Sequence, residues 1–233
     1  MRPPAWMVAS LAWLLLPGCG GGGGGGEAPV ATIRFVNNSI EPEPLLFEFF
    51  GRPELLRPGE VGRPLEVVVA EPLFRRMGIV KANGERLDAD FTLRTGPQLV
   101  AFSGRPDMLV LALQADPALG PTRAAIGFGG ATQRDNLDVY LLPPGATADL
   151  LNRSITRLRY STTGSLQVQV GQTYQLVVTS VNQPEVVYFR TQSFRIDSAE
   201  PAGLITLPRE ASSRRTAILV ATLSSERIIE SDP

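Results

Sequence analysis

The chain has 233 residues, 22 basic against 23 acidic side chains for a formal charge of −1, and 43% hydrophobic composition. That excludes disorder throughout and leaves no positive field to hold nucleic acid. With no histidine and a single cysteine, there is neither the usual base for a serine or cysteine nucleophile, nor the commonest transition-metal ligand, nor a disulfide framework.

Arg2 supplies a basic start, Ala5 to Leu16 form an apolar stretch, and Leu16, Pro17 and Gly18 precede Cys19. Twelve apolar residues fall well short of the roughly 20 needed to span a bilayer as a helix, so residues 1–18 are expected to be a cleaved signal peptide. The segment resembles a lipobox, with Leu16 at the third position before Cys19. The resemblance implies diacylglyceryl transfer to the Cys19 thiol, cleavage before it and acylation of the new amine. Two or three chains anchor a protein effectively permanently, where one is marginal. Gly20 rather than aspartate after Cys19 points, by analogy with lipoprotein sorting, to an outer membrane.

Gly20 to Gly26 follow, inside a tether expected over 19–29. Seven residues without side chains behave as a flexible coil with a span of roughly 15 Å. As a phosphate loop the tract fails, because no strand precedes it and no Lys-Ser/Thr follows.

Beyond the tether the pattern has period two. Ile33 and Phe35 alternate with Thr32 and Arg34; Leu166, Val168 and Val170 alternate with Gln167 and Gln169; Tyr174, Leu176 and Val178 follow a turn at Gly171. These read as half-buried strands. Asn83-Gly84 signals a hairpin with a type I′ turn. Twenty prolines and 23 glycines interrupt helical periodicity, so the fold expected is all-β.

Ala31 to Phe35 and Leu46 to Gly51 find an echo in Ala124 to Phe128 and Leu137 to Leu141. The offset of just over ninety residues is the size of a small β-sandwich. Asp116 to Pro121 has linker composition. The expected organisation is therefore two tandem immunoglobulin-like sandwiches over 30–116 and 122–225, a linker at 117–121 and a tail at 226–233.

The motif Leu137-Asp138-Val139-Tyr140, the later Tyr160, and the run Gly171 to Val178 resemble domain-of-unknown-function family 4397, found in exported bacterial proteins and often in tandem. The second repeat carries the pattern. The first departs from it, with Phe49 in place of tyrosine and a proline-rich stretch from Pro42 to Pro64. The resemblance implies an immunoglobulin-like sandwich in an envelope or surface protein, and it brings no catalytic residues.

Without histidine, carboxylate pairs are what remains for catalysis. Asp88 and Asp90 share one strand face and read as an outward, solvated row. Asp135 with Asp138, and Glu41 with Glu43, are acidic pairs that could offer calcium oxygen ligands, though without EF-hand spacing. Lys81, the sole lysine, reads as a solvated turn residue. Both tryptophans, Trp6 and Trp13, fall in the signal peptide, and Tyr140, Tyr160, Tyr174 and Tyr188 fit packing between sheets better than a sugar platform. Arg75-Arg76 and Arg214-Arg215 read as solvated charges that could meet lipid phosphates. The expected protein is a lipid-anchored, non-enzymatic envelope component with no cofactor, metal or nucleic-acid partner. It would bind the membrane through Cys19 and present its sandwiches to an envelope protein or polysaccharide. The alternatives are a carboxylate-based glycan-processing enzyme and a structural spacer.

Overall fold

The computed structural model describes residues 28–69, 72–104, 108–113, 117–129, 136–159, 162–208 and 216–231. Leu16, Pro17, Gly18, Cys19 and the glycine tract lie outside them, as do Asp135, Tyr160 and Arg214-Arg215.

The described chain is built from strands. The first half contributes β1 (Val30–Asn37), β2 (Leu45–Phe49), β3 (Arg52–Leu56), β4 (Leu65–Val68), β5 (Leu73–Val80), β6 (Arg86–Leu93), β7 (Gly96–Phe102) and β8 (Leu109–Ala112). A 3-10 turn at Pro117–Leu119 leads into β9 (Arg123–Gly129), β10 (Leu137–Leu142), β11 (Ile155–Leu158), β12 (Thr163–Gln169), β13 (Thr173–Ser180), β14 (Gln183–Arg190), β15 (Phe194–Arg195), β16 (Ala202–Pro208), β17 (Thr216–Ala221) and β18 (Glu226–Ile229).

Four main sheets result, ordered β3-β2-β5-β6, β4-β1-β7-β8, β12-β9-β16-β17-β18 and β11-β10-β13-β14. The first two close one sandwich and the last two a second. The internal repeat is reproduced strand for strand: β1, β2, β3, β4, β5, β6, β7 and β8 occupy the sheet positions of β9, β10, β11, β12, β13, β14, β16 and β17. β1 runs parallel to β7 just as β9 runs parallel to β16. The second copy adds β15, beside β13, and β18. Residues 226–229 are thus not a free tail. They pair with β17 and bury Ile229 in the second core.

The period-two reading holds for β12, where Leu166 and Val168 are buried and Gln167 and Gln169 exposed. It fails for β1, whose burial is nearly continuous from Ala31 to Asn37. The reason is a third core between the sandwiches. Val100 and Phe102 of β7 enter the first sandwich while Leu99 and Ala101 face the second. Likewise Ile218 and Val220 of β17 point into the second sandwich, and Ala217, Leu219 and Ala221 point back at the first. The molecule is therefore a stack of four sheets whose two central layers are covered on both faces.

Glycines shape that central interface. A Cβ on Gly127 would come within 2.8 Å of Leu111, and one on Gly203 within 2.6 Å of Leu99 and 2.7 Å of Leu111. The bare backbone of β9 and β16 receives the leucines of β7 and β8, so the sheets approach closely. Arg34, expected on the polar side of a half-buried strand, crosses the same interface almost fully buried. Its Nε donates to the Gly62 carbonyl at 2.8 Å, Nη1 to the Thr222 carbonyl at 2.9 Å, and Nη2 pairs with Glu226 at 2.6 Å.

The turns depart from expectation in an instructive way. Asn83-Gly84 does sit between β5 and β6, but the connection is the five-residue segment 81–85. Lys81 and Glu85 close it (2.9 Å), the Asn83 side chain accepts from the Glu85 N–H (2.9 Å), and Gly84 takes the left-handed conformation at φ 83° while Asn83 does not. The left-handed pair that a type I′ turn requires occurs instead at Phe50-Gly51, φ 49° and 70°, between β2 and β3. Phenylalanine is a poor occupant of that region. Its ring is held by Phe49, 4.4 Å between centroids, and by the Arg75 guanidinium 5.3 Å above it.

Candidate functional site

Asp135 apart, the carboxylates singled out from the sequence can be located. In the β5–β6 hairpin, pairing sets Arg76 opposite Asp90 and Gly78 opposite Asp88, on the outer face of the first sandwich. Asp88 and Asp90 form the expected outward row, and each has a cation. Arg76 Nε donates to Asp90 at 2.8 Å, which holds that carboxyl below its ordinary range. Arg86 reaches both Glu48 and Asp88, its guanidinium lying over Gly78, where any side chain would block it. Lys81, read as a solvated turn residue, bridges Glu41 at 3.0 Å and Glu85 at 3.3 Å, because the longer turn folds it back toward the β1–β2 connection. Glu41 is thereby tied to an ammonium rather than left open for a cation.

Asp138 is, among the described residues, the fully buried acid of the second sandwich. One carboxylate oxygen accepts from Arg153 Nη1 at 2.9 Å and from the Asn182 N–H at 2.8 Å, the other from the Arg157 N–H at 3.0 Å. Asn182 and Arg157 both have positive φ, 56° and 54°. The acid thus ties the β13–β14 turn and the irregular, bulged stretch of β11 to β10. Burial by itself would raise its pKa, but the Arg153 hydrogen bond and the two backbone donors outweigh it and hold the carboxyl below its usual range. It is a structural staple, sealed from substrate. Among the described residues no three Asp, Glu, Cys or His side chains gather as a metal site.

The described tyrosines pack. Tyr140 is fully buried on the outer face of β10, beneath the loop 143–154 with Leu142, Ala148 and Val177, and burial pushes its hydroxyl above the usual range. Tyr174 and Tyr188 lie against the second core. Of the paired arginines, Arg76 faces solvent beside Asp90 while Arg75 turns over the Phe50 ring.

Two larger concave surfaces stand out among the described residues. One, of about 590 Å³, opens between β3 and β4 over Phe35, Phe47 and Phe49. The other, about 610 Å³, lies where the edges β6 and β8 meet β12 of the second sandwich. Its mouth carries Phe74, Asp90, Thr92, Arg94 and Thr163, and it shares Ala112 and Thr163 with a further hollow of about 320 Å³ over Gly127 and Gly164. Phe74 is 62% exposed, unusual for a phenylalanine, and projects on the solvent face of β5 opposite Thr92. Sequence reasoning passed over it, although extending the alternation from Arg76 would have placed Phe74 on the same outward face. The rest of the groove depends on how the two sandwiches meet, which no local pattern records.

No protein-family model and no curated protein matches the chain. Among solved structures, CBMbc (family CBM26) from Eubacterium rectale Amy13K, in complex with maltoheptaose, is similar over 88% of this chain and 98% of that chain, at 10% identity and a TM-score of 0.26. So loose a superposition transfers neither a residue nor a ligand.

Proposed function

We propose that this is a lipid-anchored bacterial envelope protein, related to domain-of-unknown-function family 4397 and held at an outer membrane through Cys19. Its fused sandwiches bind an envelope polysaccharide without catalysing a reaction on it. The observation that carries the binding reading is the groove at the junction of the sandwiches. An exposed phenyl face beside hydroxyl, guanidinium and carboxylate groups suits the alternating C–H and O–H faces of a sugar polymer. The continuation over Gly127 and Gly164 gives it the elongated form a chain requires. The non-enzymatic reading is supported by the carboxylates, since Asp88 and Asp90 are each held by an arginine and Asp138 is spent on Arg153, the β13–β14 turn and the bulged stretch of β11.

Anchoring and binding are separately testable. Cys19→Ala is expected to abolish incorporation of labelled fatty acid and to release the protein from the membrane fraction; unchanged labelling would remove the anchor from this account. For the groove, affinity electrophoresis in gels containing envelope polysaccharide should show retardation of the chain, with affinity reduced about tenfold by Phe74→Ala, a loss near the upper end for one aromatic contact. Equal retardation of both proteins would discard Phe74 as the platform.

A further inference from the structure

The two sandwiches match in topology, so the places where they differ stand out. In the second, the edge between β11 and β12 is shut, with Ile155 so close to Gly164 that a Cβ there would lie 2.6 Å away. In the first, the equivalent edge between β3 and β4 stands open as the 590 Å³ cleft, floored by Phe35, Phe47 and Phe49 and walled by Leu55 and Val61. The proline-rich departure of the first repeat supplies its lip. Both rim carboxylates turn into that lip: Glu54 accepts from the Arg63 N–H and Glu60 from the Arg57 N–H, each at 2.7 Å. The rim arginines Arg52 and Arg63 make no ion pair with a described residue.

The second sandwich has a complementary projection. The loop 143–154 is pinned on all sides. Gly145 N–H donates to Gln175 at 3.1 Å, Asp149 N–H to the Asn152 side chain at 2.8 Å, Leu151 N–H to the Asp149 carboxylate at 2.9 Å, and the Asn152 amide to the Thr147 carbonyl at 3.0 Å. This preordered turn presents two consecutive leucines to solvent, Leu150 at 47% exposure and Leu151 at 96%. A rigid apolar tip loses little entropy on docking.

We propose that Leu150 and Leu151 of one copy seat in the β3–β4 cleft of a second copy, with Asp149 meeting the rim arginines Arg52 and Arg63. The acidic residue at the tip is what favours this occupant over an anionic lipid surface. Tip and cleft of one chain cannot meet, since they lie on different sandwiches at least two sheet spacings apart, roughly 20 Å. A copy that donates its tip still offers its cleft, so the contact is head-to-tail and propagates. Two leucines are too few to overcome the entropic cost of association in dilute solution. The contact therefore depends on confinement at a surface, and to that extent it rests on the anchoring reading.

The test supplies the anchor chemically. The mature chain from Cys19 is coupled through that cysteine, its only one, to maleimide-lipid vesicles, with a photoreactive benzoyl-phenylalanine at position 151. Irradiation is expected to give inter-chain adducts mapping to residues 52–65, at least tenfold fewer for the same chain free in solution at equal concentration, and at least tenfold fewer when Leu55→Asp is carried on the exposed cleft wall. Adducts to lipid, adducts mapping elsewhere, or an unchanged yield with Leu55→Asp would each overturn the proposal. Because coupling bypasses cellular lipidation, those results are distinguishable from a failure of Cys19 acylation.

Discussion

Asp138→Ala is expected to lower the stability of the folded chain by about 3 kcal/mol, the low end of the range for removing one partner of a buried ion pair because Arg153 is partly exposed. The loss has three parts: the Arg153 guanidinium loses its counter-charge, though it keeps Asn182 Oδ1 at 2.8 Å, and the Asn182 and Arg157 N–H groups lose their acceptor while their residues stay in left-handed conformations. Urea melts would read it directly, and a change below about 1 kcal/mol would mean that water replaces the carboxylate at both N–H groups. The same residue sets a pH dependence. Its folded pKa is depressed, so its contribution is fully present above the unfolded value near 3.9 and is lost as pH falls through the lower folded value. Wild-type stability should therefore fall more steeply below about pH 4 than that of Asp138→Ala, and parallel curves would show that the acid is not charged in the folded chain.

Gly203→Leu should be comparably damaging, by about 3 kcal/mol or more, at the upper end for overpacking. The new side chain would have to displace Leu99 and Leu111, both packed at the centre of the stack with no solvent to move into. Leu111→Ala alone is expected to cost about 2–5 kcal/mol by leaving a cavity. Combined, the two changes should cost less than their sum, because the added leucine fills the space the other vacates. Additivity in that double-mutant cycle would contradict the interlocked interface. By the same reasoning, residues 28–118 and 121–233 made separately should each expose one wall of the central core and aggregate, whereas co-expression should yield a soluble complex of the two. Two halves each stable and monomeric alone would show that the interface is dispensable.

Much of this architecture was legible from local patterns. Leu166 to Gln169 alternates because β12 is an edge strand with one wet face, and such strands write their environment directly into the sequence. The echo of Ala31–Phe35 in Ala124–Phe128 marked equivalent strands, β1 and β9, since a duplicated sandwich repeats its apolar spacing. The position of the β5–β6 hairpin followed from Asn83-Gly84. Its turn type did not, because Glu85 and Lys81 lengthen the loop through hydrogen bonds that a dipeptide rule cannot include. The left-handed Phe50 was invisible for the converse reason: its neighbours Phe49 and Arg75, not its own preference, hold it there.

What the sequence determined by itself was whatever depends on neighbours along the chain: the all-β character, the repeat, the exclusion of histidine chemistry, and the expectation of a signal peptide and acylated Cys19 ahead of the folded body. Tertiary structure alone decided which faces of the strands are covered twice. Alternation reports that a strand has an apolar side but not what lies against the other, so Leu99, Ala101, Leu219 and Ala221 became a third core only when two sheets met. It also decided the fate of the charges. Asp138 finds its partners 15, 19 and 44 residues away, and Arg34 finds Glu226 across 192. Pairings at such separations are fixed by the packing of whole sheets, in which a burial cost must be matched by whichever donor or acceptor the fold brings near, and no short stretch of sequence encodes them.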